Sequence, residues 1–386
     1  MEQRLSFDIT RATGEVQLKA QLPGDLASNF VGQDITDVVQ KIPLLFSVCG
    51  AAQGYVATQT AETVLRADAA FDRQRASARA LLVLAEKGRE YVLRLLMEAA
   101  TLCGDKSGLS RFAATQDWRA RLSEAGFGEG NPFDLFVSVD LDQDRLNDLI
   151  NEIEGYLVQT VFDRLLMDWQ KISAVATLQN WTQTSASGAA RLLSHLWSLE
   201  KGAPDDNQIV ALGALSGALM FERVNKASFR ASPLIDGQAV ETGALARQKD
   251  HPLIKALFAH YGRGVLVRYV SRLIELAMLP QQMRALLDGQ GRTHEGLCQT
   301  TCMGEGQAIS SLETARGRLY HVITLAGQKV CDYKILSPTH WNFHASSIAV
   351  EKLKEITAQN ADEMKEKAGI LIRAIDPCVQ YDVRVH

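Results

Sequence analysis

The sequence predicts an α+β fold dominated by helices, and three observations carry that expectation. Stretches near both ends alternate polar and apolar residues, the long middle repeats apolar residues at helical spacing, and no linker or internal repeat divides the 386 residues. Residues 1–386 therefore read as one domain. It comprises a β hairpin over about 4–22, a helical core over about 56–300, a β unit over about 313–343, and a C-terminal helix with a terminal motif over 348–386.

In the hairpin Leu5, Phe7 and Ile9 alternate, Ala12-Thr13-Gly14 turns the chain, and Val16, Leu18 and Leu22 carry the return. From about 56 to 103 the chain is rich in Ala, Leu and Arg, has no Pro, and spaces Leu81, Leu84, Tyr91 and Leu95 as a helix does. Gly104 is a natural stop. Further helices are expected at about 143–171, 206–226 and 251–279, separated by loops such as 126–132 and 202–206. Arg318 to Leu325 and Lys329 to Leu336 flank the turn Ala326-Gly327-Gln328 as a second β unit. A Lys- and Glu-rich helix from about 348 to 367 follows, its charges reading as a solvated face.

With 46% hydrophobic and 22% charged residues the chain can bury a large core, and its net charge of -4 offers no basic patch for nucleic acid or an anionic membrane. The N-terminus lacks the apolar core of a signal peptide, and no run approaches the roughly 20 apolar residues of a membrane span. Six cysteines, at 49, 103, 298, 302, 331 and 378, are too sparse for a disulfide framework and fit a reducing compartment. The expectation is a cytoplasmic protein.

Three motifs carry the chemistry. The chain ends Asp376-Pro377-Cys378-Val379-Gln380-Tyr381-Asp382-Val383-Arg384-Val385-His386, in which a carboxylate and a proline turn precede a thiol. A second thiol lies in Phe46-Ser47-Val48-Cys49-Gly50-Ala51-Ala52, before a helix expected to begin near Tyr55. The longest run is Glu313-Thr314-Ala315-Arg316-Gly317-Arg318-Leu319-Tyr320-His321, then Gly327, Tyr333 and Pro338-Thr339-His340-Trp341-Asn342-Phe343. Taken singly, Cys49 and Cys378 are ordinary candidates for buried core thiols, and the long run is an ordinary hairpin.

Together these runs resemble the large subunits of nickel-iron hydrogenases, whose patterns are Arg-x-Cys-Gly-x-Cys-x-x-x-His, Glu-Ala-Pro-Arg-Gly-x-Leu-x-His followed by Gly, Tyr and Pro-Thr-x-Trp-Asn, and a terminal Asp-Pro-Cys-x-x-Cys-x-x-His. The resemblance implies the large-subunit fold over the whole chain, with a weakly matching helical middle. In that family four thiolates hold nickel, the second cysteine of each pair bridges to an iron carrying two cyanides and a carbon monoxide, the Arg lies over the open metal position, and the Pro-Thr pair bonds a cyanide. Here Ser47, Ala52 and Val56 stand at the Arg, second Cys and His positions of the first motif, and Tyr381 and Arg384 at the second Cys and His positions of the last. Arg11-Ala12-Thr13-Gly14 resembles Arg-x-Glu-Gly with the proton-relaying Glu replaced by a hydroxyl that does not titrate near neutral pH.

This pattern of loss and survival is similar to the HupK/HoxV family of hydrogenase maturation proteins. The resemblance implies a non-catalytic scaffold that holds an iron-dicyanide-carbonyl unit at Cys49 and Cys378, surrounded by Arg316, Asp376, Pro338 and Thr339, with no nickel. The implied partners are a small HypC-type maturation chaperone and the hydrogenase large-subunit precursor. A chain that is not itself matured also needs no C-terminal extension beyond His386. A metal-free large-subunit mimic and a divergent hydrogenase are the alternatives. His294, Cys298 and Cys302 would share one face if helical, a weak secondary metal signal read as structural or incidental, and Cys103 and Cys331 read as core or strand residues.

Overall fold

The computed structural model describes residues 4–21, 26–46, 48–66, 72–199, 212, 215–289 and 298–386. Strands β1 (Arg4–Thr10) and β2 (Glu15–Gln21) form the expected hairpin, antiparallel with Phe7 opposite Leu18. Leu22 lies outside the described residues. Alternation puts Leu5, Phe7 and Ile9 on one buried face.

Helix α1 (Ile35–Leu45) starts at Asp34, whose side chain accepts the Thr36 N–H at 3.1 Å. The long helical region resolves into α2 (Gly50–Leu65) and α3 (Arg73–Cys103), so the helix after Cys49 begins at Gly50 and not near Tyr55. Asp72 caps α3 through the Arg75 N–H at 3.0 Å, and Gly104 ends it with φ 68°. Every residue of α2 from Gly50 to Glu62 is buried, because the helix packs against α1, α3 and a sheet at once. At Gly50 a Cβ would stand 2.6 Å from the carbonyl oxygen of Pro43 in α1, so only glycine allows this approach directly after Cys49.

Other helical expectations also break at identifiable points. The 143–171 stretch runs as Gln143–Leu157, a wider π turn at Val158–Phe162 and a short Leu166–Trp169 helix. The 251–279 stretch splits into Pro252–Tyr261 and Val265–Leu287 around Gly262, at φ 59°. Of 206–226 the described helix is Gly217–Asn225, and the loop at 202–206 lies outside the described residues.

The second β unit begins earlier than expected. Strands β3 (Gln299–Gly304), β4 (Gln307–Thr314), β5 (Gly317–Ala326) and β6 (Lys329–Leu336) form one antiparallel sheet in that order, turning at 327–328 as expected. Residues Pro338–Asn342 are a helical turn and not strand. Cys302 is thus exposed in β3 while Cys298 is buried with its N–H on the Tyr55 hydroxyl at 3.3 Å, so the helical face expected for them does not exist. His294 lies outside the described residues. Cys103 closes α3 half-buried, and Cys331 is exposed on β6.

The single helix expected over 348–367 is two, Ile348–Lys354 and Ala361–Ile375, because the Asn360 side chain accepts the Glu363 N–H at 2.9 Å and starts a new helix. The polar side of the second helix is solvated, while Met364, Ala368 and Ile372 join the core that holds Leu5, Phe7 and Ile9. The final residues are no loose tail: β7 (Gln380–Val385) runs parallel to β1, with Arg4 opposite Gln380 and Ile9 opposite Val385. Chain start and chain end thereby share a core that includes Phe343, whose ring meets Phe7 edge-on at 6.4 Å. No helix among the described residues is long and apolar enough to cross a membrane.

Phe343 joins this small core to the turn that carries Pro338 and Thr339. Phe343→Ala should cost about 3–5 kcal/mol in denaturant unfolding, and a loss below about 1 kcal/mol would mean that the two ends do not share this core.

Candidate metal centre

One face of α3 assembles the site. Glu86, Glu90, Arg94 and Glu98 recur every four residues and so line up along the helix. Glu86 accepts the N–H groups of Ala51 at 2.7 Å and Ala52 at 3.2 Å, capping α2 immediately after Cys49, whose own side chain makes no cap. Glu90 accepts from Arg316 at 3.1 Å. Arg94 donates to Asp376 at 2.5 Å, and Glu98 accepts from Arg373 at 2.7 Å. One helix therefore fixes the segments bearing Cys49, Arg316 and Cys378.

Arg316 sits at the tight β4–β5 turn. Gly317 there has φ 134° and would drive a Cβ into the Thr242 side chain, so the turn packs directly on that side chain. Behind it Glu313 binds Arg247 at 2.7 Å and also Arg318. Asp376 caps the Ala361–Ile375 helix in the left-handed region at φ 72°, sending its N–H to Ile372 at 2.8 Å. That bend swings Pro377 and Cys378 toward the cavity.

Cys49 and Cys378 line one cavity of about 90 Å³ together with Arg316, Pro338, Thr339, Gln53 and Glu86. Its outer wall is apolar, with Leu26, Leu45, Phe46, Val48 and Val379. Five of the six expected site residues thus meet in one place. The sixth, Asp376, stands behind the wall, 2% exposed, and acts through Arg316, whose Nε is 3.3 Å from its carboxylate. Thr339 is turned to a sulfur: its hydroxyl lies 2.9 Å from Cys378 Sγ and accepts the Cys378 N–H at 3.4 Å. That N–H uses one of the hydroxyl's two lone pairs, so the hydroxyl can donate to the sulfur or accept from a thiol proton. Gln53 Nε2 approaches Cys49 Sγ at 3.8 Å. Each sulfur thus has a polar side chain beside it.

The electrostatics suit a charged occupant. Burial, the Cys378 sulfur and Glu86 drive the Cys49 thiol well above its ordinary range, against Arg316 and Gln53. Burial opposes the Arg316 charge, but Asp376, Glu90 and the two sulfurs outweigh it. Burial likewise pushes Asp376 up, while Arg316, Arg94 and Arg272 together hold it below the ordinary carboxylate range. A paired thiolate state in this cavity would require added positive charge. Among the described residues no group of three or more His, Cys, Asp or Glu side chains could hold a metal ion.

Where the motifs depart from the hydrogenase pattern, the described substitutes make contacts within the fold or face solvent. Ala52 and Val56 are buried in the core. The Tyr381 hydroxyl accepts from Arg373 at 3.2 Å and points to the Gly369 carbonyl at 3.5 Å. Arg384 is exposed, 3.5 Å from Asp382, and Thr13 accepts the Glu15 N–H within the hairpin turn. Ser47 lies outside the described residues. Reading the sequence missed Glu86, Glu90, Arg94 and Gln53, although charges every four residues along an otherwise buried helix were a usable signal.

Glu86 also sets a pH dependence. Burial raises it to about 7 from an ordinary 4.5, against the bonds from Ala51 and Ala52. The folded state then binds this proton more tightly than the unfolded chain, so its stabilising contribution is complete below about pH 4.5 and is lost as pH rises through about 7. Denaturant titrations should show a decline across that window that is flattened in Glu86→Gln. Identical slopes in both proteins would contradict the assignment.

No family model matches the chain. Over its length it is similar to the hydrogenase expression/formation protein HupK of Rhizobium leguminosarum bv. viciae, 28% identical across 99% of this chain and 95% of that protein. Shorter matches at 31% identity reach HupK of Bradyrhizobium diazoefficiens and HoxV of Cupriavidus necator, each covering 41% of this chain and only 42% and 41% of those proteins. Among solved structures, an NAD+-reducing NiFe hydrogenase in the H2-reduced state aligns with TM-score 0.61 at 13% identity, covering 95% of this chain and 92% of that one. The reduced Ni-Fe-Se hydrogenase of D. vulgaris Hildenborough aligns with TM-score 0.59 at 15% identity, covering 95% and 93%. The chain therefore has the nickel-iron hydrogenase large-subunit fold and is a full-length homologue of hydrogenase expression/formation proteins named HupK.

Proposed function

We propose that this chain is a non-catalytic scaffold in nickel-iron hydrogenase maturation. Its cargo is the iron-dicyanide-carbonyl unit, received from a small HypC-type chaperone, held by Cys49 and Cys378, and passed to the hydrogenase large-subunit precursor in the cytoplasm. The observation that carries this reading is the convergence of two thiols, from near opposite ends of the chain, on one cavity walled by the Arg316 guanidinium. Two thiolates suit a single soft, low-valent iron and fall short of the four that hold nickel in the hydrogenases. Arg316 supplies a fixed cation toward bound cyanides, and Pro338 and Thr339 shape the adjoining wall. The names of the relatives support a role in maturation, and Thr13 at the proton-relay position supports a chain that turns over no hydrogen.

The buried thiol pair also favours a second reading. Without a cationic cargo Cys49 stays protonated, and a metal-free chain could serve as a large-subunit mimic that binds maturation chaperones by its surface alone. Infrared spectra of protein isolated without air from hydrogenase-producing cells separate the two. The scaffold should show cyanide and carbonyl stretching bands that vanish in Cys49→Ala and in Cys378→Ala. Thr339→Val, which strips a partner from Cys378, should lower the bands roughly tenfold, as loss of an outer hydrogen bond to a metal ligand does. Bands that survive both cysteine replacements would refute the ligand assignment, and maturation persisting in the band-free double variant would establish the mimic.

A further inference from the structure

A second cavity, of about 220 Å³, backs onto the thiol cavity, with Val48 and Glu86 lining both. Its other walls are Arg89 and Glu90 of α3 and the start of the Trp118–Phe127 helix, with Gln116, Trp118 and Arg119. The acids here are already matched. Glu86 accepts the Ala51 and Ala52 N–H groups, and Glu90 accepts from Arg316 and from Arg89, each at 3.1 Å.

What remains is donors. Arg119 makes no hydrogen bond among the described residues, and its ion-pair partner Glu86 stands at 3.9 Å, beyond hydrogen-bond reach. Arg89 spends Nη1 on Glu90 and lays its guanidinium 4.9 Å from the centre of the Phe112 ring, which leaves its other nitrogens unbonded. The helix starts without a cap. The Asp117 side chain bonds no N–H, the first turn carries no acid, and the Arg121 N–H goes to the Asp117 carbonyl at 2.9 Å, leaving those of Trp118, Arg119 and Ala120 open among the described residues. Trp118 adds a buried donor: the residue is 2% exposed, and its indole N–H has no partner among the described residues. Unlike those of Trp169, Trp197 and Trp341, that N–H is not sealed off, and the space its side chain meets is this cavity.

We propose that the second cavity binds a small oxyanion, a phosphate or carboxylate group, gripped by Arg119 and Arg89 and met by the Trp118 indole and the uncapped helix start. Guanidinium forks match paired oxyanion oxygens, and the helix dipole favours negative charge at this end. Arg119 is half-exposed and Arg89 partly so, which leaves a way in. The occupant would stand against the Cys49 turn, because a Cβ at Gly50 would lie 3.5 Å from Arg119 Nη1. The site stands apart from the scaffold reading and is tested with no metal.

The indole N–H resonances of metal-free full-length protein provide the test. They are followed by nuclear magnetic resonance as inorganic phosphate or, separately, acetate is added at constant ionic strength and pH, with Trp118→Phe identifying the Trp118 signal. That signal should shift saturably. Arg119→Ala and Arg89→Ala should each weaken binding about tenfold, as loss of a charge-assisted hydrogen bond does. Arg121→Ala removes the same charge from the same helix outside the cavity, where Arg121 pairs with Glu152 at 2.7 Å, and should stay within about twofold of the parent. Tighter phosphate binding identifies a phosphate-bearing ligand, and tighter acetate binding a carboxylate. A Trp118 signal that neither anion moves, or equal weakening by Arg121→Ala and Arg119→Ala, overturns the proposal. Should Arg119→Ala displace the other indole signals and so disturb the fold, Arg119→Lys decides. It keeps the charge, loses the fork and should still weaken binding, parent affinity being the contrary result.

Discussion

The charged stripe on α3 ties together segments that lie far apart in the chain. Four side chains at four-residue spacing each reach a different segment: Glu86 the start of α2, Glu90 the β4–β5 turn, Arg94 the terminal bend, and Glu98 the helix before it. Buried ion pairs add little net stability, because desolvating both charges offsets most of their attraction. Removing one partner is different, since it strands the other charge and costs about 3–5 kcal/mol. The stripe thus specifies geometry: segments far apart in sequence can dock only where their charges are met.

That specification makes a two-thiol site possible. Cys49 and Cys378 come from segments separated by most of the chain, and neither segment would hold its sulfur in place alone. The parallel pairing of β7 with β1 fixes the chain end from one side and Asp376 fixes it from the other. On the proposed reading, a site with few ligands and an adjustable partner at Cys378 suits a cargo that must leave again. The cationic wall at Arg316 then acts as a fixed counter-charge, with no side chain needing to move for the cargo to be met.

Much of this was legible in the sequence. The hairpin, the turn at 327–328, the stop at Gly104 and the fold class followed from alternation, helical spacing and turn residues, all of them local signals. The six site residues came from motif resemblance, and the structure draws five of them around one cavity with Asp376 directly behind. The rest depended on contacts that sequence periodicity does not encode. The terminal strand was missed because its partner, β1, lies at the other end of the chain. The break at Asn360 was hidden by a charge-rich stretch that looks continuously helical, and Cys298 and Cys302 were grouped by a helical spacing that β3 does not have.

On the proposed reading, Cys49 and Cys378 together hold one iron. X-ray absorption at the iron edge, on protein isolated without air from hydrogenase-producing cells, addresses it directly. Two sulfur scatterers per iron are expected in the parent protein and one in each of the Cys49→Ala and Cys378→Ala variants that keeps any iron. Iron with no sulfur neighbour, or a sulfur number unchanged by either replacement, would contradict it.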